Sequence, residues 1–368
     1  MPSLQQFLET HSMPAAPELV LKEEAGLRCL ACANRCLIPE GKSGICRVRF
    51  NQDGQLRVPG GYAAGIQVDP IEKKPFFHVF PGREALSFGM LSCNFHCPFC
   101  QNWLSSQVMR EHYDVGIPHP CTPEQLVARA LDRGAPAMVS TYNEPLITSD
   151  WAAKVFSCAH ESGIRCGYVS NGHATPEVIE FLRPFVDLYK VDLKCFREDG
   201  YHELGGSMKA VCDTIGRLKS MGFWVEVVTL VVPGFNDTAE ELRDIARFLA
   251  GISPDIPWHV TAFHPDYKMT TSRRTTVSDL TRAYDAGKGA GLRFVYSGNL
   301  PGSVGNTENT YCPSCNALLI ERCGFHVSQN RMRKNECPDC HVVIPGIWED
   351  GPPRSQGGAE ALRAPRTC

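Results

Sequence analysis

Eleven of the chain's cysteines fall into three tight groups, and short segments that crowd thiols in this way fold around metal rather than around a large core of their own. The groups are Cys29, Cys32, Cys36 and Cys46; then Cys93, Cys97 and Cys100; then Cys312, Cys315, Cys337 and Cys340. Pairs separated by two residues suit a metal better than a disulfide. Of the 18 cysteines in 368 residues, those at 121, 158, 166, 195, 212, 323 and 368 are scattered singly. Several of these sit in apolar stretches, where cysteine behaves as a small hydrophobe.

Between the outer groups, β-rich runs alternate with helix-like runs, the pattern of repeated βα units around a parallel sheet. Strands are predicted at 85–91, 137–141, 165–170, 188–193, 224–232, 258–263 and 292–296. Thr122-Pro123-Glu124-Gln125 supplies a cap residue, a proline at the first helical position and a capping-box glutamine, and Thr238 with Glu241 repeats the box. Helices are expected near 123–133, 149–162, 175–184, 207–221, 238–250 and 278–290. The pattern predicts an α/β fold, a full or partial (βα) barrel with small Cys-rich metal-binding segments at both ends and its active site at the strand C-termini. A doubly wound sheet is the alternative. The expected divisions are an N-terminal Cys-rich segment at 1–75, a barrel at 76–305, a zinc-ribbon-like domain at 306–349 and a disordered tail at 350–368.

A hydrophobic content of 43% is enough to bury such a core, and a formal charge of −3 gives no reason to expect a nucleic-acid or membrane-binding surface. The start shows no basic segment followed by an apolar stretch, and no run of eighteen uncharged apolar residues occurs. A cytoplasmic location is expected.

Directly after the first predicted strand stands Ser92-Cys93-Asn94-Phe95-His96-Cys97-Pro98-Phe99-Cys100-Gln101-Asn102-Trp103. Thiolates are the normal ligands of iron–sulfur clusters, and three on one compact loop can hold three irons of a 4Fe-4S cubane. The fourth iron is then left without a protein ligand and open to a small molecule with amino and carboxylate groups. Zinc is the competing reading, but it wants four ligands in a closed site.

The outer groups read differently. Cys312-x2-Cys315 and Cys337-x2-Cys340 have nearly zinc-ribbon spacing and predict a closed structural zinc site, with iron or an auxiliary cluster as the alternative. Cys29-x2-Cys32-x3-Cys36-x9-Cys46 is less specific, and zinc or an auxiliary iron–sulfur cluster both remain open.

The three-cysteine spacing, with Phe99 just before the third thiol, resembles the signature of the radical S-adenosylmethionine superfamily. Segments at successive strand ends agree with that resemblance. Tyr142-Asn143-Glu144 resembles the segment that holds the methionyl amino group, with Glu144 as acceptor. Ser170-Asn171-Gly172 resembles a turn that contacts the ribose or the methionyl group. Asp192-Leu193-Lys194 is similar to the Asp-x-Lys element of glycyl-radical activating enzymes, with Lys194 facing the carboxylate. The resemblance further implies an adenine-contacting backbone at Val231 and puts His264 at the barrel mouth; it assigns no catalytic residue.

Over nearly the whole chain the sequence resembles the radical enzyme of the AmmeMemoRadiSam system, a relative of the pyruvate formate-lyase activating enzymes. The carriers are Gly44-Ile45-Cys46-Arg47-Val48-Arg49, Asp69-Pro70-Ile71-Glu72-Lys73-Lys74-Pro75, Phe80-Pro81-Gly82, Cys97-Pro98-Phe99-Cys100-Gln101-Asn102-Trp103, the C-terminal knuckles and Pro345-Gly346-Ile347-Trp348. Asn34 departs from it, standing where a histidine is expected. The resemblance implies that S-adenosyl-L-methionine binds the open iron and is cleaved reductively to a 5'-deoxyadenosyl radical that abstracts hydrogen from an unidentified substrate. It also implies a reducing partner such as a flavodoxin or ferredoxin, and association with Memo-type and AMMECR-type proteins. Activation of a glycyl-radical enzyme is the alternative. A zinc-ribbon interaction or nucleic-acid-binding protein with a vestigial barrel site is the alternative of another class.

Overall fold

The structure, a computed structural model, describes residues 4–111 and 116–348. The tail expected at 350–368 lies outside the described residues. The chain divides into two compact units: Met1–Asp69, Glu84–Val228 and His264–Arg273 form the first, and Pro70–Arg83, Thr229–Phe263 and Arg274–Cys368 the second. Among the described residues, no helix is long and apolar enough to cross a membrane.

The first unit is built on a parallel sheet. β1 (Glu84–Gly89), β2 (Ala137–Ser140), β3 (Arg165–Ser170), β4 (Leu188–Asp192) and β5 (Trp224–Val231, whose residues to Val228 belong here) lie side by side in chain order. Gly65–Pro70 flanks β1 on its other side. The register sets Ser87, Val139, Gly167, Leu188 and Trp224 abreast, and since all five strands are parallel their C-terminal ends point to the same edge. β2 is buried at every position, as a parallel strand covered on both faces must be. Helices Pro123–Asp132, Ser149–Glu161, Pro176–Leu182 and Met208–Ser220 fall where the sequence predicts them. The first carries the expected capping box, with Thr122 and Gln125 exchanging bonds of 3.0 and 3.3 Å.

Two features were not expected. Glu198–Leu204 is a further helix, ended by Gly205 at φ 86°, a left-handed stop that glycine adopts without strain. The N-terminal segment forms two three-stranded antiparallel sheets, Ser12–Pro14 with Gln55–Pro59 and Phe50–Gln52, and Val20–Glu23 with Gly26–Cys29 and Leu37–Ile38. Leu27, Ile38, Leu56 and Val58 form its small core.

In the second unit, β6 (Trp258–Ala262) and β7 (Val295–Gly298) run parallel with Trp258 opposite Val295. β7 starts later than the predicted 292–296 because the Leu292 N–H still bonds Gly287 O, closing the end of helix Val277–Gly289. Helix Ala239–Ile252 begins at the Thr238 cap, as expected. An antiparallel sheet of Thr310–Tyr311, Leu318–Cys323 and His326–Asn330 packs with Phe77, Phe294, Tyr296, Cys312, Cys337 and Ile344 in one core.

Three of the sequence stretches that carry the long resemblance, Pro70–Gly82, the C-terminal knuckles and Pro345–Trp348, meet here. Glu72 and Arg322 form a fully buried ion pair at 3.6 Å, and Arg322 also donates to Phe77 O and Thr310 Oγ1 at 2.7 Å each. His78 lies 2.6 Å from Pro345 O and 2.7 Å from Tyr296 Oη, while Phe80 N–H bonds Ile347 O. The Pro70–Gly82 stretch thus acts as a strap on the C-terminal sheet.

Candidate active site

The loop that leaves β1 carries the three central thiols, and its shape is fixed from several sides. Gly89 must be glycine because a Cβ there would stand 2.6 Å from Thr141 O. Asn143 Oδ1 accepts the Met90 N–H at 2.9 Å, tying the exits of β1 and β2 together. Ser92 takes a left-handed backbone, φ 76°, and its hydroxyl donates to Cys46 O at 2.5 Å. The Phe95 N–H donates to Cys93 Sγ at 3.3 Å, and Cys100 Sγ lies 3.2 Å from Ser106 Oγ. Phe95 itself is buried against His173 and Tyr201.

The next strand exits bring charge to these thiols. Glu144 is buried and accepts hydrogen bonds from Ser170 Oγ at 2.7 Å, Asn171 N–H at 2.7 Å and Leu146 N–H at 3.1 Å. Burial pushes its carboxyl up to about 7, against the pull of those donors and with help from the Asp192 charge. Asn171 Nδ2 donates to Asn94 Oδ1 at 2.8 Å, linking the β3 exit to the loop between Cys93 and Cys97. Asp192 sits between two lysines, bonded to Lys190 on one oxygen and 3.4 Å from Lys194 on the other. Burial opposes ionisation of Asp192, but Lys190 and then Lys194 hold its carboxyl below the ordinary value. Burial likewise opposes the charge on Lys194, which Asp192 and then Cys97, Cys100 and Cys93 secure, raising its affinity for the proton.

The remaining expected residues lie as follows. Tyr142, at φ 74°, places its hydroxyl 2.9 Å from Ser87 Oγ. Phe99 is buried within the loop. His264 is exposed, with Nδ1 3.0 Å from Gln101 Nε2. Val231 ends β5 and is described with the second unit, where its carbonyl accepts from Thr275 Oγ1 at 2.5 Å.

Sequence reasoning missed Lys190, although Lys190, Asp192 and Lys194 recur at every second position and so share one side of the strand. It also missed the segment after His264. There Tyr267 stacks on Trp103 with ring centroids 5.5 Å apart, and the Lys268 N–H bonds Pro98 O.

The donor sets fit metal of two kinds. The central thiols are all free, and burial pushes Cys97 up to about 12 and Cys93 well above its ordinary value, the Glu144 charge adding to the latter. Metal supplies the positive charge that such buried thiols need to ionise. At the C-terminus, Cys312 and Cys340 sulfurs are 3.5 Å apart and Cys315 and Cys337 sulfurs 3.7 Å apart. All four ligand atoms there lie within 4.8 Å of one another, the geometry of four thiolates around one tetrahedral ion.

The chain is similar to several known proteins. The family described as the Radical SAM superfamily matches residues 89–249, which begin at the end of β1. The chain is 37% identical over 304 residues to the uncharacterized protein MJ0808 of Methanocaldococcus jannaschii, covering 82% of this chain and 89% of that one. It is 22% identical over 179 residues to a pyruvate formate-lyase-activating enzyme of Clostridium pasteurianum, covering 47% of this chain and 71% of that one. A solved structure of a radical SAM methyltransferase from Sphaerobacter thermophilus aligns with a TM-score of 0.47 at 17% identity, over 65% of this chain and 71% of that one. With the three thiols at the head of a parallel sheet and the matching stretch running through the strands that follow, the chain belongs to the radical SAM superfamily.

Proposed function

We propose that this radical SAM enzyme abstracts hydrogen from a substrate with a 5'-deoxyadenosyl radical, and that Cys93, Cys97 and Cys100 hold its 4Fe-4S cluster. Membership of the superfamily implies that cluster and S-adenosyl-L-methionine. When bound, they supply reductive cleavage of the sulfonium and a primary carbon radical. The observation that carries the assignment is the convergence of Glu144, from the exit of β2, and of Asp192 and Lys194, from the exit of β4, on the three thiols.

The chain's own residues then divide the work. Glu144, held by three donors, offers its remaining acceptor capacity to an ammonium. Lys194, charged and close to the thiolates, suits a carboxylate and offsets the negative charge that ionised sulfur brings. Lys190 fixes Asp192, which in turn orients Lys194. Ser170, Asn171, Asn143 and Tyr142 keep the strand exits in place around the methionyl end, and Phe99 excludes water from the loop. His264, beside Gln101 in the first unit, is a further proposed contact to the cosubstrate. The C-terminal thiols hold a structural zinc ion.

The long resemblance supports assignment to the AmmeMemoRadiSam system, with a flavodoxin or ferredoxin as reductant and Memo-type and AMMECR-type proteins as partners. Similarity to a pyruvate formate-lyase-activating enzyme favours glycyl-radical activation as the second reading.

Anaerobic reconstitution with iron and sulfide, reduction by dithionite and a search for 5'-deoxyadenosine test the proposal. Product that depends on each of Cys93, Cys97 and Cys100 supports it. A loaded, reduced cluster that never cleaves the cosubstrate, with any candidate partner present, overturns it.

A further inference from the structure

Cys29, Cys32 and Cys46 are buried and Cys36 is half-buried, and all four are free thiols. The chain folds them toward one another: the Cys29 N–H donates to Cys36 O at 2.9 Å and the Arg35 N–H to Cys32 O at 3.0 Å, while Cys29 and Cys36 share one small core. The Ile45 backbone N–H already points at the Cys36 sulfur, at 3.5 Å. Four such thiols make a poor apolar core and a good ligand set.

Spacing separates the two candidate occupants. Four thiolates on one tetrahedral zinc, at about 2.3 Å each, stand roughly 3.8 Å apart. The C-terminal group meets that requirement at 3.5 and 3.7 Å. Among the described residues, no three of the first four cysteines gather their sulfurs within 4.8 Å. A polynuclear cluster needs the wider spacing, because each thiolate bonds a different iron.

Arg49 supplies an independent sign of an anionic guest. Its side chain is 1% exposed, with Nη1 donating to Asp150 Oδ2 at 2.5 Å and to Ile147 O at 3.2 Å. Its Nε and Nη2 are buried without a hydrogen-bond partner, and its charge lies in the field of Cys29 and Cys46. A buried guanidinium edge left unpaired is costly, and an acceptor of negative charge at the thiols removes that cost.

We infer that Cys29, Cys32, Cys36 and Cys46 hold a second iron–sulfur cluster, fully ligated by the chain and set one hydrogen bond, Ser92 Oγ to Cys46 O, from the loop of the first. The inference rests on the proposed function only for what occupies the central triad.

The test uses full-length protein reconstituted anaerobically with iron and sulfide. Unaltered protein is expected to give, after dithionite reduction, two paramagnetic signals, one shifted by S-adenosyl-L-methionine and one indifferent to it. The Cys93→Ala, Cys97→Ala, Cys100→Ala triple variant should keep the indifferent signal together with acid-labile sulfide, and the Cys29→Ala, Cys32→Ala double variant should lose that signal alone. A triple variant that carries zinc and no sulfide overturns the inference. Should either variant fail to fold, the unaltered protein still decides: a single signal, shifted by the cosubstrate, with zinc retained on the first cysteine group, is fatal to it. An indifferent signal with no shifted partner would sink the proposed function and leave this inference standing.

Discussion

Asn171 donates its backbone N–H to the Glu144 carboxylate at 2.7 Å, so the exit of one strand is fastened to the exit of the next through an acid that burial keeps near half ionisation at neutral pH. Glu144 is raised from 4.5 to about 7, so the stability it contributes is complete below its unfolded value and is lost as pH rises through 7. Burial depresses His173 from 6.5 to about 4, so its contribution is complete above its unfolded value and is lost as pH falls through 4. The two slopes oppose each other, and only a difference isolates the acid. In protein without metal, Glu144→Gln should gain up to about 3 kcal/mol relative to the parent between mildly acid and neutral pH. Urea unfolding across that range checks it, and parallel profiles would remove the buried acid from the account.

Gly206 allows Phe95 its place in the thiol loop. A Cβ at Gly206 would stand 2.3 Å from Phe95 Cζ, while Phe95 is held by His173 and Tyr201. Gly206→Ala should cost about 1–3 kcal/mol and reduce iron uptake at the triad. Gly216→Ala is the control, since nothing lies within 4 Å of its Cβ on helix Met208–Ser220. That change should stabilise by about 0.5–1 kcal/mol. Denaturant midpoints and iron content distinguish the two.

The two lysines around Asp192 should separate when each becomes methionine. Lys190 is the more deeply buried, and burial lowers its proton affinity against the pull of Asp192. Lys190→Met removes the buried partner of Asp192, which is partly exposed and keeps Lys194, and should cost about 1–3 kcal/mol in unfolding free energy. Lys194→Met should cost less stability but weaken cosubstrate binding roughly tenfold or more. Equilibrium dialysis alongside unfolding reads both effects, and equal affinities would take Lys194 out of the site.

Removing the C-terminal ion should loosen the second unit before it affects the iron of the first. Trp348 packs on the core that contains Cys312 and Cys337, with its Nε1 donating to Ile344 O at 2.8 Å. Cys315→Ser, or treatment with a chelator, should shift Trp348 emission to the red. It should also cost more than the ~1 kcal/mol of an average substitution. Unchanged emission after complete metal loss would show that the sheet stands without the ion.

The strands were legible because parallel strands buried on both faces read as short apolar runs, and β3 falls on its predicted bounds. Thr122 and Thr238 marked helix starts through side-chain bonds to neighbours in sequence. Thr310–Tyr311, Leu37–Ile38 and the other short antiparallel strands were not legible, since two to five residues carry too little alternation to read. Among the candidate site residues, Glu144 and Lys194 were found by resemblance, while Lys190 went unnoticed inside an apolar run. The Glu72–Arg322 pair could not be found at all by local reading: it joins chain segments far apart, and the conspicuous block around Glu72 proves to be a strap on the C-terminal sheet.

The bond from Ser92 to the Cys46 carbonyl gives the molecule an order of assembly. Cys46 precedes Cys93 in the chain, so the carbonyl that anchors the left-handed turn is synthesised before the central thiols. Because the anchor is a backbone carbonyl and not a thiol, the amino-terminal segment can serve as a scaffold for the central loop whatever its own sulfurs hold.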